Sequence, residues 1–263
     1  MILNAILALS ARFSSTDYFR GVAPADRGID FARHAMSIHN TLKTDFECKS
    51  PTLPYLQGCI LLALFHQTYE PKGSHSKLLI LICIRTALDM GLNEIDEDIL
   101  GNETPVPQWL SANEWTRREE LRRAWWSTWE LDVFDSVISC APPSINKHSV
   151  QVLLPVSDED WFQCKPIASA AIPPDFQLAW KCLRGVENQS ARAWFLVATY
   201  LMFLADEITH KRIPSAQSIS EMETALSCFS LLLPPDLRLD AISDNSSDDQ
   251  GIHIISINVM LQS

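Results

Sequence analysis

The sequence predicts an all-α fold, an irregular array of about eight to ten helices in a single large domain over residues 1–263. Three observations carry this. Glycine is scarce, at 8 of 263 residues; strict apolar and polar alternation is nearly absent; and apolar residues recur at helical spacing along the chain. The composition, 47% hydrophobic and 20% charged, is that of a folded domain rather than a disordered or disulfide-stapled chain.

The elements follow in order. Ile2, Ile6, Leu9 and Phe13 share one helical face, so MILNAILALSARFSS reads as an amphipathic helix. A signal peptide is disfavoured, because no basic residue leads it and Asn4 interrupts the apolar run. Phe31, Ala35, Ile38, Leu42 and Phe46 lie at steps of four, three, four and four, a stripe on a helix from near Asp30 to Ser50-Pro51. The next helix opens at Thr52-Leu53-Pro54, with proline tolerated in the first turn, and stops at Pro71 and Gly73. Another runs from Ser74 to Gly91, a residue suited to a left-handed helix stop. Both are apolar on most faces and are expected to be buried centrally.

Residues 93–113 are acidic and contain proline, which predicts an irregular surface connection. Thr116 with Glu119 three residues later has the spacing of a capping box, opening a helix that runs to about Ser139. The adjacent Pro142 and Pro143, with Pro155 beyond, make residues 140–161 an extended packed loop. Past Pro173-Pro174 two helices are expected, over 176–187 and 190–210, broken at Gly185 and Asn188. A helix over 218–233 is ended by Pro234-Pro235; residues 240–250 are acidic and small, a second surface loop. The apolar stretch from 252 onward runs to Ser263 with no stop signal, so the chain is expected to end inside an element.

Charge and motifs exclude several functions. With 21 basic and 32 acidic residues the net charge is 21 − 32 = −11, which disfavours nonspecific binding to phosphate backbones or anionic lipid. Seven cysteines, at 48, 59, 83, 140, 164, 182 and 228, form no Cys-x-x-Cys pair and read as small buried residues in a reducing compartment. The longest apolar runs, Cys59–Phe65 and Leu78–Ile84, fall far short of the roughly 20 residues that span a bilayer. The seven histidines lack zinc-ligand spacing, and no nucleophile elbow or phosphate loop occurs. The sequence therefore offers no catalytic, cofactor-binding or metal residue.

Two constellations remain. Arg117, Arg118, Arg122 and Arg123, backed by Trp125, Trp126 and Trp129, could contact phosphate and stack on bases. Pairing along the helix is the favoured reading, with Glu114 four residues before Arg118 and Glu119 four before Arg123. Asp132 and Asp135 raise the question of a magnesium-diphosphate site of the terpene-synthase kind. Val133 occupies the second place of DDxxD and no second metal motif follows, so a structural, partnered aspartate is favoured.

One long stretch carries a resemblance. TRREELRRAWWSTWELDVFDSVISCAPPSINKHSVQVLLPVSDEDW, residues 116–161, holds paired arginines, Arg-Ala-Trp-Trp, Leu-Asp, Pro-Pro-Ser-Ile and Leu-Pro-Val-Ser-Asp-Glu-Asp-Trp in that order. With AILALSARFS at 5–14, LPYLQGCILLALF at 53–65, RTALDMGLNEIDED at 85–98 and LLLPPDL at 231–237, it resembles the middle homology region of fungal binuclear zinc-cluster transcription factors. The residues that carry the likeness are Arg118, Arg122, Arg123, Trp125, Trp126, Asp132, Pro142, Pro143, Leu154 and Pro155. Cys140-Ala141 stands where the family usually has Gly-Arg, so the glycine helix stop is expected to be lost. Val133 likewise replaces a commonly basic residue.

The resemblance implies a nuclear, helical regulatory domain that couples an effector or partner to transcription, with no catalytic residue. The implied partners are the transcriptional machinery or a full-length zinc-cluster factor, with a small-molecule effector as a further candidate. Zinc and DNA contact would belong to an upstream six-cysteine element, so the sequence reads as truncated at both ends. The alternatives are a helical small-molecule-binding protein or enzyme using Asp132 and Asp135, and a DNA-binding-deficient partner of a full-length factor.

Overall fold

A computed structural model describes residues 1–46, 50–69, 73–100, 111–209, 215–238 and 248–262, and these form eleven α-helices with short 3-10 turns and no strands. The described residues form two compact units, Met1–Asn93 with Ser127–Asn146, and Glu94–Trp126 with Lys147–Ser263. The helix α6 (Ala112–Ser139) contributes its first half to the second unit and its second half to the first.

In the first unit, α1 (Ile2–Ser10), α2 (Ile29–Phe46) and α3 (Leu53–Tyr69) contact one another, and α3 packs on α4 (Ser74–Asp89). α1 forms where its periodicity predicts, and Leu9 of its stripe packs on the core, but its buried positions are alanines. Ala5 and Ala8 are buried, whereas Ile6 is 46% and Phe13 82% exposed. The reason is close approach: a Cβ at Gly28 would lie 2.1 Å from the Ala8 carbonyl oxygen and 2.9 Å from the Phe65 ring. No side chain fits at Gly28, and Ala8 and Ala32 pack there against Phe65.

α2 also keeps only part of its predicted stripe. Ala35 of the stripe is fully buried and Phe31 packs on the core, but Ala32 and His39 also face inward while Ile38 does not. His39 lies parallel to the Tyr55 ring at 5.7 Å, with Nδ1 3.3 Å from Tyr55 Oη and 3.6 Å from Cys59 Sγ. Burial pushes the Cys59 thiol up to about 12, so it stays neutral, and Cys83 is raised for the same reason. Neither α3 nor α4 is buried all round: Leu64, Leu78, Leu81 and Leu88 are exposed, while Cys59, Leu62, Leu79 and Cys83 face inward. Gly91 does stop α4, with φ +67° and its N–H donated to the Leu88 carbonyl at 2.9 Å.

The start of α6 differs from its predicted capping box. Ser111 is the cap, its Oγ accepting the Glu114 N–H at 3.2 Å, in a Ser-x-x-Glu spacing five residues upstream of the predicted one. Thr116 lies inside the helix and donates to the Ala112 carbonyl at 2.8 Å. α6 ends at Cys140, which keeps the glycine-like stop that its identity was expected to lose. At φ +49°, Cys140 donates its N–H to Val137 and Ala141 donates to Ser136, the two bonds of a Schellman motif.

In the second unit, residues expected as a surface connection are partly structural. Asp96 and Ile99 are buried at α5 (Glu97–Leu100), and residues 101–110 lie outside the described residues. Past a single 3-10 turn at Lys147–Ser149, residues 150–157 form no helix, whereas α7 (Asp158–Phe162) falls inside the span expected as loop and closes with Cys164 at φ +52°. The first helix expected after Pro173-Pro174 is a single turn, α8 (Phe176–Ala179), followed by turns to Gly185. α9 (Ala191–Thr209) is buried on nearly all faces and packs against α8, α10 (Ala216–Leu232) and α11 (Asp248–Gln262). Ser190 caps α9 by accepting the Ala193 N–H. Of the predicted loop 240–250, residues up to 247 lie outside the described residues and α11 begins at Asp248.

Candidate functional site

The α6 arginines carry the second unit's densest charge network. Asp96, fully buried, receives Arg122 bidentately: Nη2 donates to Oδ1 at 2.7 Å and Nε to Oδ2 at 2.8 Å. The fork geometry matches a carboxylate, which favours Arg at this place over Lys. Asp96 Oδ2 also accepts the Leu153 backbone N–H at 2.9 Å. Glu119, equally buried, accepts Arg122 Nη1 at 3.3 Å, Arg123 Nε at 3.1 Å and the Val156 N–H at 2.9 Å. Its carboxyl is raised above the ordinary glutamate range because burial outweighs the two arginines beside it. For Arg122, burial pulls the pKa down, but Asp96 and Glu119 overcome it and hold the guanidinium above its usual value.

Arg118 and Arg123 extend the cluster outward. Arg118 clasps Asp98 with Nη1 and Nη2 at 2.7 and 2.8 Å, which holds the Asp98 carboxyl below its usual range. Arg123 pairs with Asp158, donates Nη2 to the Val156 carbonyl at 2.8 Å, and lies over the Trp161 ring at 4.4 Å. The predicted pairs within the helix, Glu114 with Arg118 and Glu119 with Arg123, are both formed. The stronger partners, Asp96, Asp98 and Asp158, come from segments far away in sequence and were not singled out by it. Their acidic neighbours, NEIDED and SDED, were the available signal.

The Leu-Pro segment is held by side chains rather than by a sheet. Trp126 Nε1 donates to the Leu153 carbonyl at 2.8 Å, and Leu153 forms an isolated bridge with Ala171. Asn188, buried and unpredicted as a functional residue, donates Nδ2 to the Pro155 carbonyl at 3.0 Å and to Ser169 Oγ at 2.9 Å. Ser190 Oγ adds a second bond to the Pro155 carbonyl at 2.9 Å, and Leu154 is fully buried. Trp125 is buried as well, but its indole N–H meets no acceptor among the described residues.

The model of the fungal specific transcription factor domain matches residues 1–173, which contain all of this charge cluster. The chain belongs to that family. No curated protein and no solved structure matches the chain. The family is one of transcription regulation, and no described helix is long and apolar enough to cross a membrane.

Within the first unit of this transcription factor domain, Asp132 does a different task. Its Oδ1 accepts the Ser144 N–H at 3.0 Å and its Oδ2 the Ile145 N–H at 2.8 Å, fixing the turn that follows Pro142 and Pro143. Burial raises the Asp132 carboxyl even though the two N–H groups favour its charged form. Both oxygens are thereby committed to backbone, and Asp135 accepts a hydroxyl contact from Ser139 at 3.5 Å. The pair therefore lacks the convergent carboxylates of a magnesium-diphosphate site. Among the described residues no group of three or more His, Cys, Asp or Glu side chains is placed to hold a metal ion. The cysteines do not fit the six-thiolate zinc cluster of the wider factors, since the described ones are spread from position 59 to 228 without close spacing.

Proposed function

We propose that this domain regulates transcription in the nucleus by conformational coupling, passing the binding of an effector or a protein partner to the activity of a zinc-cluster-type factor. The observation that carries this reading is the buried cluster in which Asp96 and Glu119 share Arg122. It joins residues 96–98, 119–123 and 153–158 through shared charges, so that releasing one of them weakens the pairing of its neighbours. Such a network favours one defined arrangement over maximal stability, which suits an element whose states are to be switched. The partners are the transcriptional machinery or a full-length factor, and any zinc in that factor is held by a cysteine-rich element of its own.

The test places residues 1–263 between a heterologous DNA-binding domain and an activation domain in a fungal host carrying a reporter. The wild-type insert is expected to lower output relative to a fusion lacking it. Asp96→Asn is expected to restore output at equal protein level and unchanged circular dichroism. Equal output with and without the wild-type insert would overturn the reading.

A further inference from the structure

α8 and α10 of the second unit enclose a groove of about 240 Å³. Phe176, Gln177 and Trp180 line it from one side, and Glu221, Ala225 and Cys228, spaced four and three residues apart, from the other. Glu221 is half-buried there and accepts only neutral donors, Gln217 Nε2 at 2.8 Å and Gln177 Nε2 at 3.3 Å. None of the ion pairs among the described residues includes it. The groove thus sets a carboxylate that has no ion pair among the described residues beside two aromatic side chains.

We propose that the groove binds a small organic ammonium ion, with the cation at Glu221 and the apolar body against Phe176 and Trp180. An aromatic face attracts a cation through its quadrupole, and partial desolvation at the groove wall strengthens attraction to the carboxylate. The Trp180 face already attracts one cation, the Lys181 Nζ, 5.8 Å from the ring centroid. Anions are repelled by Glu221, and a neutral apolar ligand would bury the carboxylate with no gain to offset its lost hydration. At about 240 Å³ the groove is smaller than the roughly 300–1,000 Å³ of pockets for drug-sized ligands, so the ligand is a single-ring or short-chain amine. As an effector site the groove rests on the regulatory reading; as a binding site it stands alone.

Isothermal titration of the full chain with phenethylammonium, 2-phenylethanol, phenylacetate and N-acetyl-lysinamide tests it. Phenethylammonium is expected to bind saturably with one site below about 10 mM, with the alcohol at least about tenfold weaker and phenylacetate silent. Glu221→Gln, which keeps the amide-accepting oxygen and the side-chain shape, is expected to weaken the amine at least about tenfold with unchanged circular dichroism. Trp180→Leu, which keeps the charge, is expected to weaken it as well. Equal binding of amine and alcohol, an unchanged affinity in Glu221→Gln, or no saturable binding of the amine would overturn the proposal. Tighter binding of N-acetyl-lysinamide would overturn it too, by assigning the groove to a protein side chain. If the amine binds but leaves the reporter unmoved, the site stands and its coupling to transcription falls.

Discussion

The two halves of α6 each bury acidic side chains, and they neutralise them by opposite means. In the first half Glu119 shares Arg122 with Asp96, so charge meets charge across segments far apart in sequence. In the second half Asp132 pairs with no arginine among the described residues; two backbone N–H groups of one turn, 12 and 13 residues downstream, satisfy it. The ionic arrangement spreads the consequence of losing one residue over three segments, because each ion is the others' compensation. The backbone arrangement confines it to one turn. Dependence on a partner, rather than burial as such, sets the scale of each loss.

Arg122→Met breaks the comparison at its strongest point. It leaves Asp96 and Glu119 buried without their shared cation and is expected to cost about 3–5 kcal/mol in urea unfolding. A loss under about 1 kcal/mol would mean that water or a rearranged Arg123 replaces it. Asp132→Ala strips two N–H groups of their acceptor and is expected to cost about 1–3 kcal/mol. Its pH dependence sharpens the contrast. Burial holds the Asp132 proton more tightly in the folded chain, so stability from that proton is full below about pH 4 and lost as pH rises through the raised value. The margin of wild type over Asp132→Ala should therefore narrow with rising pH; a widening margin would reverse the assigned direction.

Two tryptophans separate the polar from the apolar contribution within the ionic half. Trp126→Phe removes the donor to the Leu153 carbonyl and should cost about 1–2 kcal/mol more in thermal or urea unfolding than Trp125→Phe, whose lost N–H has no acceptor among the described residues. Equal losses would place the whole effect in packing. The smallest change lies where the backbone half ends. Cys140 occupies a left-handed conformation at φ +49°, so Cys140→Gly is expected to stabilise the domain by about 0.5–1 kcal/mol. A destabilised variant would show that the thiol side chain contributes more than the backbone strain costs.

The helices were legible in the sequence because helical spacing and proline punctuation act locally. Pro234-Pro235 follows α10, and Gly91 stops α4. The facing of α1 and α2 was only partly legible: Leu9, Phe31 and Ala35 do face the core, but Gly28 approaches Ala8 so closely that alanine, not isoleucine, lines the contact. The α6 cap was displaced because both Ser111 and Thr116 precede a Glu by three residues, and local spacing cannot choose between them. At the site, the arginines and Asp132 stood out in sequence, but their partners did not. Asp96 reads there as one acidic residue among many, and Asn188 as a helix breaker. Their roles come from segments that meet only after folding.

The stretch from Leu153 to Val156 belongs to no helix and no sheet, yet its N–H groups are spoken for: Leu153 by Asp96, Leu154 by the Ala170 carbonyl, Val156 by Glu119. Amide protons held in this way exchange with solvent only when their acceptors move off. Deuterium uptake at Leu153 and Val156 is therefore a direct clock for the opening of the arginine cluster, kept by residues that a secondary-structure map would leave blank.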